Sequence, residues 1–164
     1  MNNNDRLTRL RYALDLSDSE MVDIFALGGH TTSRKEVDAL FKKTSDKSDD
    51  VEAENEYVVA CTDEMLDRFL NGFITHKRGP KDGPEPALEL NHKNANNLFL
   101  NKLKIALSLT SDEILELLNN QGVEISKGEL SAVLRKEGHR NYKPCGDRYI
   151  RNFLRGLTTE YRED

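Results

Sequence analysis

An internal repeat constrains this sequence more than any other feature, because a repeated sequence predicts a structural unit that is built twice. At an offset of 93 residues, segment 4–43 aligns with 97–136, and twelve of the 40 aligned positions are identical. At an offset of 84 residues, segment 61–78 aligns with 145–162, with seven identical positions. The offsets differ by nine residues, so the first copy contains nine extra residues, which lie within 44–56.

The apolar residues of each copy recur at the spacing of an α-helix. In the first aligned segment they lie at i, i+3 and i+7, which places them on one face of a helix with about 3.6 residues per turn. Three further apolar stripes follow in each copy, so we predict four helices per copy. The first stripe comprises Leu7, Leu10 and Leu14 in the first copy and Leu100, Leu103 and Leu107 in the second.

The starts of several helices are marked by Ser or Thr followed three residues later by Glu. This pattern predicts a capping box, in which the two side chains bind free amides of the first helical turn. Asp63 and Asp147 mark the fourth helix of each copy, because an acidic residue there complements the helix dipole. No segment alternates polar and apolar residues over a sustained length, so we predict an all-α fold. The predicted boxes are Ser17 with Glu20, Ser33 with Glu36, Thr110 with Glu113 and Ser126 with Glu129.

We therefore predict a tandem duplication of a four-helix unit. Repeat 1 covers residues 1–78, a linker with three of the four prolines covers 79–96, and repeat 2 covers 97–164. The acidic loop 44–56 has too few apolar residues to offset its ordering entropy, so we expect it to be mobile. A unit of about 70 residues has a marginal core of its own. We expect the repeats to pack together with pseudo-two-fold symmetry; two separate units on a flexible linker are the alternative.

The composition excludes several classes of protein. No apolar run approaches the ~18 residues that a membrane span needs. The first residues lack the apolar core of a secretory signal, so we expect a cytoplasmic protein that does not associate with membranes. The two cysteines, Cys61 and Cys145, are too few for a disulfide scaffold.

The residues that could carry catalysis or hold a metal are scattered. The four histidines and two cysteines form none of the close pairs that zinc sites use. Cys61 and Cys145 occupy the same position of the two copies, which favours a packing role. The sequence also lacks a glycine-rich phosphate-binding motif that precedes a helix. We therefore predict no enzyme activity, no cofactor and no metal site.

Five short motifs occur across the two copies. They are LRYALDL at 10–16, FALGG at 25–29, FLNG at 69–72, KLKIAL at 102–107 and FLRGL at 153–157. These motifs resemble those of the YehS-like bacterial proteins, and the resemblance covers nearly the whole chain. That family has no assigned activity, so the resemblance implies a duplicated helical architecture and no particular chemistry.

The charge is distributed unevenly along the chain, whose net charge is −5. Residues 1–96 carry 13 basic and 19 acidic residues, whereas residues 97–164 carry 11 and 10. Within 135–155, seven basic residues stand against two acidic ones. Such a cluster is typical of a surface that contacts phosphates. The alternative is a solvated or protein-facing patch that pairs with acidic residues of the first half or of its own copy. The candidate surface residues are Lys127, Arg135, Lys136, Arg140, Lys143, Arg148, Arg151 and Arg155.

The second and third helices of repeat 2 resemble a helix-turn-helix. Segments 112–120 and 126–136 would be its two helices, joined by a turn at 121–125. In such motifs the second helix lies in the DNA major groove, where basic and polar side chains contact base edges. The turn is longer than in the tight form of the motif, which argues against the fixed crossing geometry that DNA binding uses.

Two functions of different classes follow from these observations. The favoured one is a non-enzymatic helical scaffold or regulatory module that binds a protein partner, or a second copy of itself as a homodimer. The alternative is a nucleic-acid-binding regulator that uses the helix-turn-helix-like segment and the basic cluster of repeat 2. One contiguous positive surface would favour the alternative, whereas neutralisation by acidic residues of repeat 1 would favour the scaffold.

Overall fold

The structure, a computed structural model, describes residues 1–45 and 55–162. In these residues it contains eight α-helices, four in each repeat, and one small antiparallel sheet of two strands. The predicted all-α fold with a duplicated four-helix unit is confirmed, and the sheet is an addition to it. The elements are α1 (Asn3–Leu14), α2 (Asp18–Leu27), α3 (Arg34–Phe41), β1 (Lys43–Ser45), β2 (Glu56–Tyr57), α4 (Asp63–Arg78), α5 (Ala95–Ala106), α6 (Ser111–Asn119), α7 (Lys127–Leu134) and α8 (Asp147–Tyr161).

The predicted capping boxes coincide with helix starts, although only two of the four are complete. Ser17 and Thr110 each accept a hydrogen bond from the backbone N–H of a Glu, and that Glu accepts one from the backbone N–H of the capping residue. Ser33 and Ser126 form only the first of these bonds. At Ser33 the reason is local, because the Glu36 carboxylate accepts from the hydroxyl of a neighbouring threonine instead.

The two repeats pack together through their first and fourth helices. α1 packs against α8, and α5 packs against α4. Within each repeat the second helix packs on the fourth, as α2 on α4 and α6 on α8. Equivalent helices thus form equivalent contacts, and the apolar side chains of both repeats form one continuous core. The prediction of two repeats packed with pseudo-two-fold symmetry is confirmed.

Two glycines at the same position of the two repeats allow the second and fourth helices to approach closely. A Cβ atom at Gly72 would lie 2.0 Å from the backbone oxygen of Ile24. A Cβ atom at Gly156 would lie 2.8 Å from the backbone oxygen of Leu117. The approach of α2 to α4 is therefore the tighter of the two.

Two buried asparagines hold the first helix of each repeat against the connection between the third and fourth helices. The Nδ2 of Asn4 donates to the backbone oxygens of Leu40 at 2.9 Å and Val59 at 2.8 Å. Its Oδ1 accepts from the backbone N–H of Cys61 at 2.8 Å. One side chain thereby satisfies three backbone groups far away in sequence. The same three bonds join Asn97 of repeat 2 to Val133, Lys143 and Cys145.

Arg6 joins the two repeats close to the pseudo-two-fold axis. Its guanidinium donates to the Oδ1 atoms of Asn3 and Asn96, both at 2.7 Å. Asn3 and Asn96 in turn donate to the carboxylates of Asp63 and Asp147, each at 2.8 Å. These aspartates are the first residues of α4 and α8, so α1, α4, α5 and α8 all begin at one end of the molecule.

The small sheet lies at the base of the acidic loop of repeat 1. Lys43 pairs with Tyr57, and the backbone N–H of Val58 donates to the carbonyl of Lys42, so the chain leaves and returns at adjacent positions. Residues 46–54 of the expected mobile loop 44–56 lie outside the described residues. The mobility of this loop stays a prediction.

The connection between the repeats is anchored to α4. The backbone N–H groups of Glu89 and Leu90 both donate to one carboxylate oxygen of Asp67, at 2.7 and 3.0 Å. The Leu90 side chain is buried in the core. This part of the proline-rich segment is therefore packed against the helices.

Replacing Asn4 by Ala is expected to destabilise the protein by about 3 kcal/mol, since three buried backbone groups each lose a partner at roughly 1 kcal/mol. Asn97→Ala is expected to have a similar effect because that side chain makes the same three bonds. Chemical denaturation measures the free energies of unfolding. The control is Asn101→Ala, a half-buried position with no side-chain hydrogen bond to the described residues. A loss in the control as large as in the other two variants would contradict the prediction.

Gly72→Ala is expected to destabilise the protein more than Gly156→Ala, because its added methyl group meets the backbone of the facing helix at a shorter distance. Overpacking of this kind costs about 1–3 kcal/mol, and more where backbone must move. Thermal unfolding compares the two variants. Gly128→Ala is the control, because a Cβ there meets nothing closer than 3.7 Å. A lower melting temperature for Gly156→Ala than for Gly72→Ala would refute the ranking.

Candidate functional site

The eight candidate basic residues lie in three separate places, and Lys127 stands apart from the others. It is the first residue of α7, and its Nζ lies 3.0 Å from a carboxylate oxygen of Asp112. Both side chains are largely exposed, so the pair contributes no more than about 1 kcal/mol to stability. Lys127 is thus neutralised within its own repeat.

Four candidates lie in the connection between α7 and α8. All four are exposed, and none forms a side-chain hydrogen bond or salt bridge with the described part of the chain. Two of them, Arg140 and Lys143, line an open pocket of about 460 Å³ that also contains Glu129 of α7. The four residues are Arg135, Lys136, Arg140 and Lys143.

The remaining three candidates, Arg148, Arg151 and Arg155, lie on one face of α8, because residues three, four and seven apart share a helix face. α8 packs against α1, and Arg9 of α1 joins this face although it was not among the predicted residues. Arg9 and Arg155 line the same groove. We call Arg9, Arg151 and Arg155 the arginine triad. Within residues 1–45 and 55–162, none of the three guanidinium groups forms a hydrogen bond or an ion pair.

Both other members of the triad act on the pKa of Arg9. Arg9 is exposed as a residue, yet partial desolvation lowers the pKa of its guanidinium, and repulsion by Arg151 and Arg155 acts in the same direction. The carboxylate of Asp5 acts in the opposite direction. An arginine side chain stays protonated at neutral pH in spite of such shifts. The triad therefore carries three positive charges.

Asp5 is already engaged by other groups. It accepts hydrogen bonds from the Tyr57 hydroxyl at 2.7 Å and from the Asn55 amide at 3.2 Å. Burial, together with the hydrogen bond to Asp5, raises the pKa of Tyr57 to about 12. Tyr57 is therefore a neutral donor to Asp5 at physiological pH. The carboxylate reduces the positive charge beside Arg9 but forms no ion pair with it.

The pseudo-equivalent site in the other half of the molecule is a closed ion pair. Lys102 of α5 forms an ion pair with Asp67 of α4, and its Nζ donates to the Oδ1 of Asn71 at 2.8 Å. Asp67 is 1% exposed and the side chain of Lys102 is 11% exposed. The second oxygen of Asp67 accepts hydrogen bonds from the backbone N–H groups of Glu89 and Leu90 in the inter-repeat connection. Every charge in this site has a partner.

The two halves therefore differ at three aligned positions. A cation, an acid and an amide form the closed site between α4 and α5, whereas three cations occupy the same positions between α1 and α8. The repeat alignment contains this signal, because the acid of one copy is replaced by a base in the other. The aligned pairs are Lys102 with Arg9, Asp67 with Arg151, and Asn71 with Arg155.

An open groove of about 500 Å³ lies beside the triad, between α1 and α8. Arg9 and Arg155 line it, and Tyr12 and Leu154 contribute apolar surface. Tyr12 is 55% exposed, with the guanidinium of Arg162 at 4.1 Å from the centre of its ring. The groove thus combines apolar walls with positive charge.

The helix-turn-helix-like segment corresponds to α6 and α7. Seven residues, 120–126, connect these helices, whereas standard motifs use about three or four. The backbone N–H of Lys143 donates to the carbonyl of Ala132, so the α7–α8 connection contacts the helix that would enter a major groove. No observation tests DNA binding, which stays a prediction.

Cys61 and Cys145 are buried at the same position of the two repeats. Burial is the main cause that raises the pKa of each thiol to about 12, and Asp63 and Asp147 add to it. Both thiols therefore keep their protons at neutral pH and are poor nucleophiles. This environment is that of a packing residue.

The described residues contain neither a cluster of possible metal ligands nor a candidate membrane span. No group of three or more His, Cys, Asp and Glu side chains among them lies close enough together to hold a metal ion. None of the helices formed by these residues has the length and apolar character needed to cross a membrane.

Comparisons with known proteins support the resemblance seen in the sequence. The chain matches the family model described as "Protein of unknown function (DUF1456)" in two segments, residues 3–79 and 96–163. It is 38% identical over 157 residues to "Uncharacterized protein YehS" of Escherichia coli (strain K12), a match that covers 96% of this chain and 94% of that protein. No solved structure gives a significant match. The predicted resemblance to YehS-like proteins is confirmed.

A thiol reagent such as DTNB at about pH 8 is expected to modify neither cysteine of the native protein, because both thiols are buried and their pKa values lie well above that pH. In denaturant both should react, since the pKa of a solvated thiol is about 8.5. Absorbance of the released thiolate measures the rate. Ser131→Cys, at an exposed position of α7, is the positive control. Fast modification of the native wild type would disprove the packing role.

Proposed function

Since this chain belongs to the DUF1456 family of proteins of unknown function, we propose a function from the geometry alone: a non-enzymatic helical scaffold that binds a protein partner through one face of α8. This face, which we call the α8 face, comprises Arg148, Arg151 and Arg155. The expected ligand is an acidic segment of the partner, and the expected compartment is the cytoplasm. The buried, protonated cysteines support the non-enzymatic part of the proposal.

The observation that carries the proposal is the unneutralised α8 face beside an apolar groove. Its arginines form no salt bridge with the described residues, and Arg155 lines the groove together with Tyr12 and Leu154. Arginine binds carboxylates through two parallel hydrogen bonds, and aromatic and arginine side chains are enriched where proteins bind one another. A segment with acidic residues and an apolar side chain complements both features.

A second copy of the chain is the other protein partner that remains under this proposal. Tyr12 and Ile105 occupy the same position of the two repeats and are 55% and 47% exposed. Equivalent apolar residues on a pseudo-symmetric molecule are compatible with an isologous dimer. Light scattering distinguishes a dimer of this chain from a complex with another protein.

Nucleic-acid binding is the second candidate function. One observation favours it: seven of the eight candidate basic residues have no acidic partner among the described residues, as a phosphate-contacting surface requires. The scaffold remains the first proposal, because the α8 face borders an apolar groove and because the connection at Lys143 contacts α7, the helix that would read DNA.

Affinity capture from a nuclease-treated extract of the source cells tests the proposal through matched variants. The α8 variant combines Arg148→Ala, Arg151→Ala and Arg155→Ala. The control combines Arg135→Ala, Lys136→Ala and Arg140→Ala, which removes the same charge elsewhere. We expect a protein with an acidic segment to bind the wild type and the control, and the α8 variant to bind it at least about tenfold more weakly. Binding should also weaken between about 50 and 200 mM salt.

Three outcomes would count against the scaffold. Equal capture by the α8 variant would remove the α8 face from the proposal. The absence of any partner, with a monomeric mass at high concentration, would contradict protein binding. Saturable, salt-dependent binding of labelled DNA or RNA by the wild type, lost in the α8 variant, would favour the second candidate instead.

A further inference from the structure

We propose that the arginine triad is a binding site for a phosphoryl group, held between α1 and α8. The inference deepens the proposed function, because it names the chemical group that this part of the surface recognises. It rests on that function only for the choice of surface. The group is either free phosphate or the phosphate of a phosphorylated partner, and both present the same tetrahedral dianion.

The first argument is the comparison between the two halves of the molecule. Helix pairs α4–α5 and α1–α8 are equivalent, and their facing positions align one by one. Between α4 and α5 the cation of Lys102 is matched by Asp67 from the facing helix. Between α1 and α8 the facing helix supplies Arg151 in place of that acid. No acid among the described residues forms an ion pair with Arg9, so under this proposal a ligand supplies the anion that completes the site.

The second argument is the local balance of charge. The guanidinium groups of Arg151 and Arg155 and the carboxylate of Asp5 all act on Arg9, so these four described residues carry a net charge of +2. A phosphoryl group carries about −1.5 to −2 charges at neutral pH. A single carboxylate would leave the site positive. The dianion is therefore the better match.

The third argument is geometric. Arg151 and Arg155 lie one turn apart on α8, and Arg9 approaches from α1, so donors come from two helices. Guanidinium groups bind phosphate oxygens through paired, charge-assisted hydrogen bonds, and several of them can share one tetrahedral anion. Arg9 and Arg155 are exposed at an open groove of about 500 Å³. A ligand from solvent can therefore reach two members of the triad, Arg9 and Arg155.

Calorimetry and thermal unfolding with inorganic phosphate test the site on the full chain. Sodium chloride and sodium acetate at matched ionic strength are the reference salts. We expect one phosphate to bind per chain and the melting temperature to rise by about 3–6 °C at a concentration about ten times Kd. The reference salts should give a much smaller rise.

The decisive variant replaces two arginines of the triad by the residues that occupy the aligned positions of α4. Arg151→Asp with Arg155→Asn reproduces the residues that face Lys102, so it should pair with Arg9, raise the melting temperature without phosphate and abolish the phosphate response. The matched control is Arg135→Asp with Arg140→Asn, which changes the net charge equally and should keep the response. Arg155→Gln, at an exposed position, covers the case in which the double variant does not fold; we expect at least about tenfold weaker phosphate binding.

These experiments distinguish a failure of this inference from a failure of the proposed function. Two results would overturn the phosphoryl site. One is a melting temperature that rises as much with acetate as with phosphate. The other is a phosphate-induced rise in melting temperature that is unchanged in the variant Arg151→Asp with Arg155→Asn. Partner capture through the α8 face could still stand, because it is measured independently. Once phosphate binds, an acidic peptide with one phosphoserine and one leucine distinguishes the sources. Binding at least about tenfold tighter than inorganic phosphate indicates a phosphorylated partner, and equal binding indicates free phosphate.

Discussion

The hydrogen bonds of the buried asparagines are the interaction on which the rest of this structure depends. Asn4 and Asn97 each satisfy one backbone carbonyl near the end of the third helix and two backbone groups of the connection that precedes the fourth helix. Without these bonds, buried carbonyl and amide groups would lose their partners at a substantial free-energy cost. Arg6 then joins Asn3 to Asn96, so the two repeats share one polar junction. This junction places the starts of α1, α4, α5 and α8 together, and it thereby sets α1 beside α8 and α5 beside α4.

The duplication gives the molecule two versions of one interhelical site, and these have diverged in charge. The site at Asp67 and Lys102 is closed, buried and fully hydrogen-bonded, so it serves the packing of α4 on α5 and the attachment of the inter-repeat connection. The site at the arginine triad has the opposite character, with like charges that face a groove. Repulsion between cations opposes the packing of α1 on α8, whereas the equivalent ion pair supports the packing of α5 on α4. The two sites therefore differ in charge, in burial and in their effect on helix packing.

Much of the fold could be predicted from the sequence, because the helix signals of one copy recur at the aligned positions of the other. The apolar stripes predicted the helices, and the Ser and Thr capping residues predicted where several of them begin. The hydrogen bonds of the buried asparagines were not predicted, since buried polar residues carry no periodic signal and most of their partners lie 36 to 90 residues away. The small sheet was not predicted, because strands of three and two residues are too short to show an alternation of polar and apolar residues. Arg9 was not predicted as part of the basic surface for a further reason. It joins that surface only because α1 packs against α8, and no local sequence pattern indicates this pairing of helices.

The net charge of −5 is a poor guide to what this surface attracts. At physiological salt, exposed charges more than about 8 Å apart are largely screened. A ligand at the triad therefore responds most to the charges beside it, those of Arg9, Arg151, Arg155 and Asp5, whose sum is positive. Low dielectric around partly buried groups strengthens these near interactions further. An acidic protein can thus present a site for a dianion, provided that its cations are close together and its acids are engaged by other donors, as Asp5 is by Tyr57.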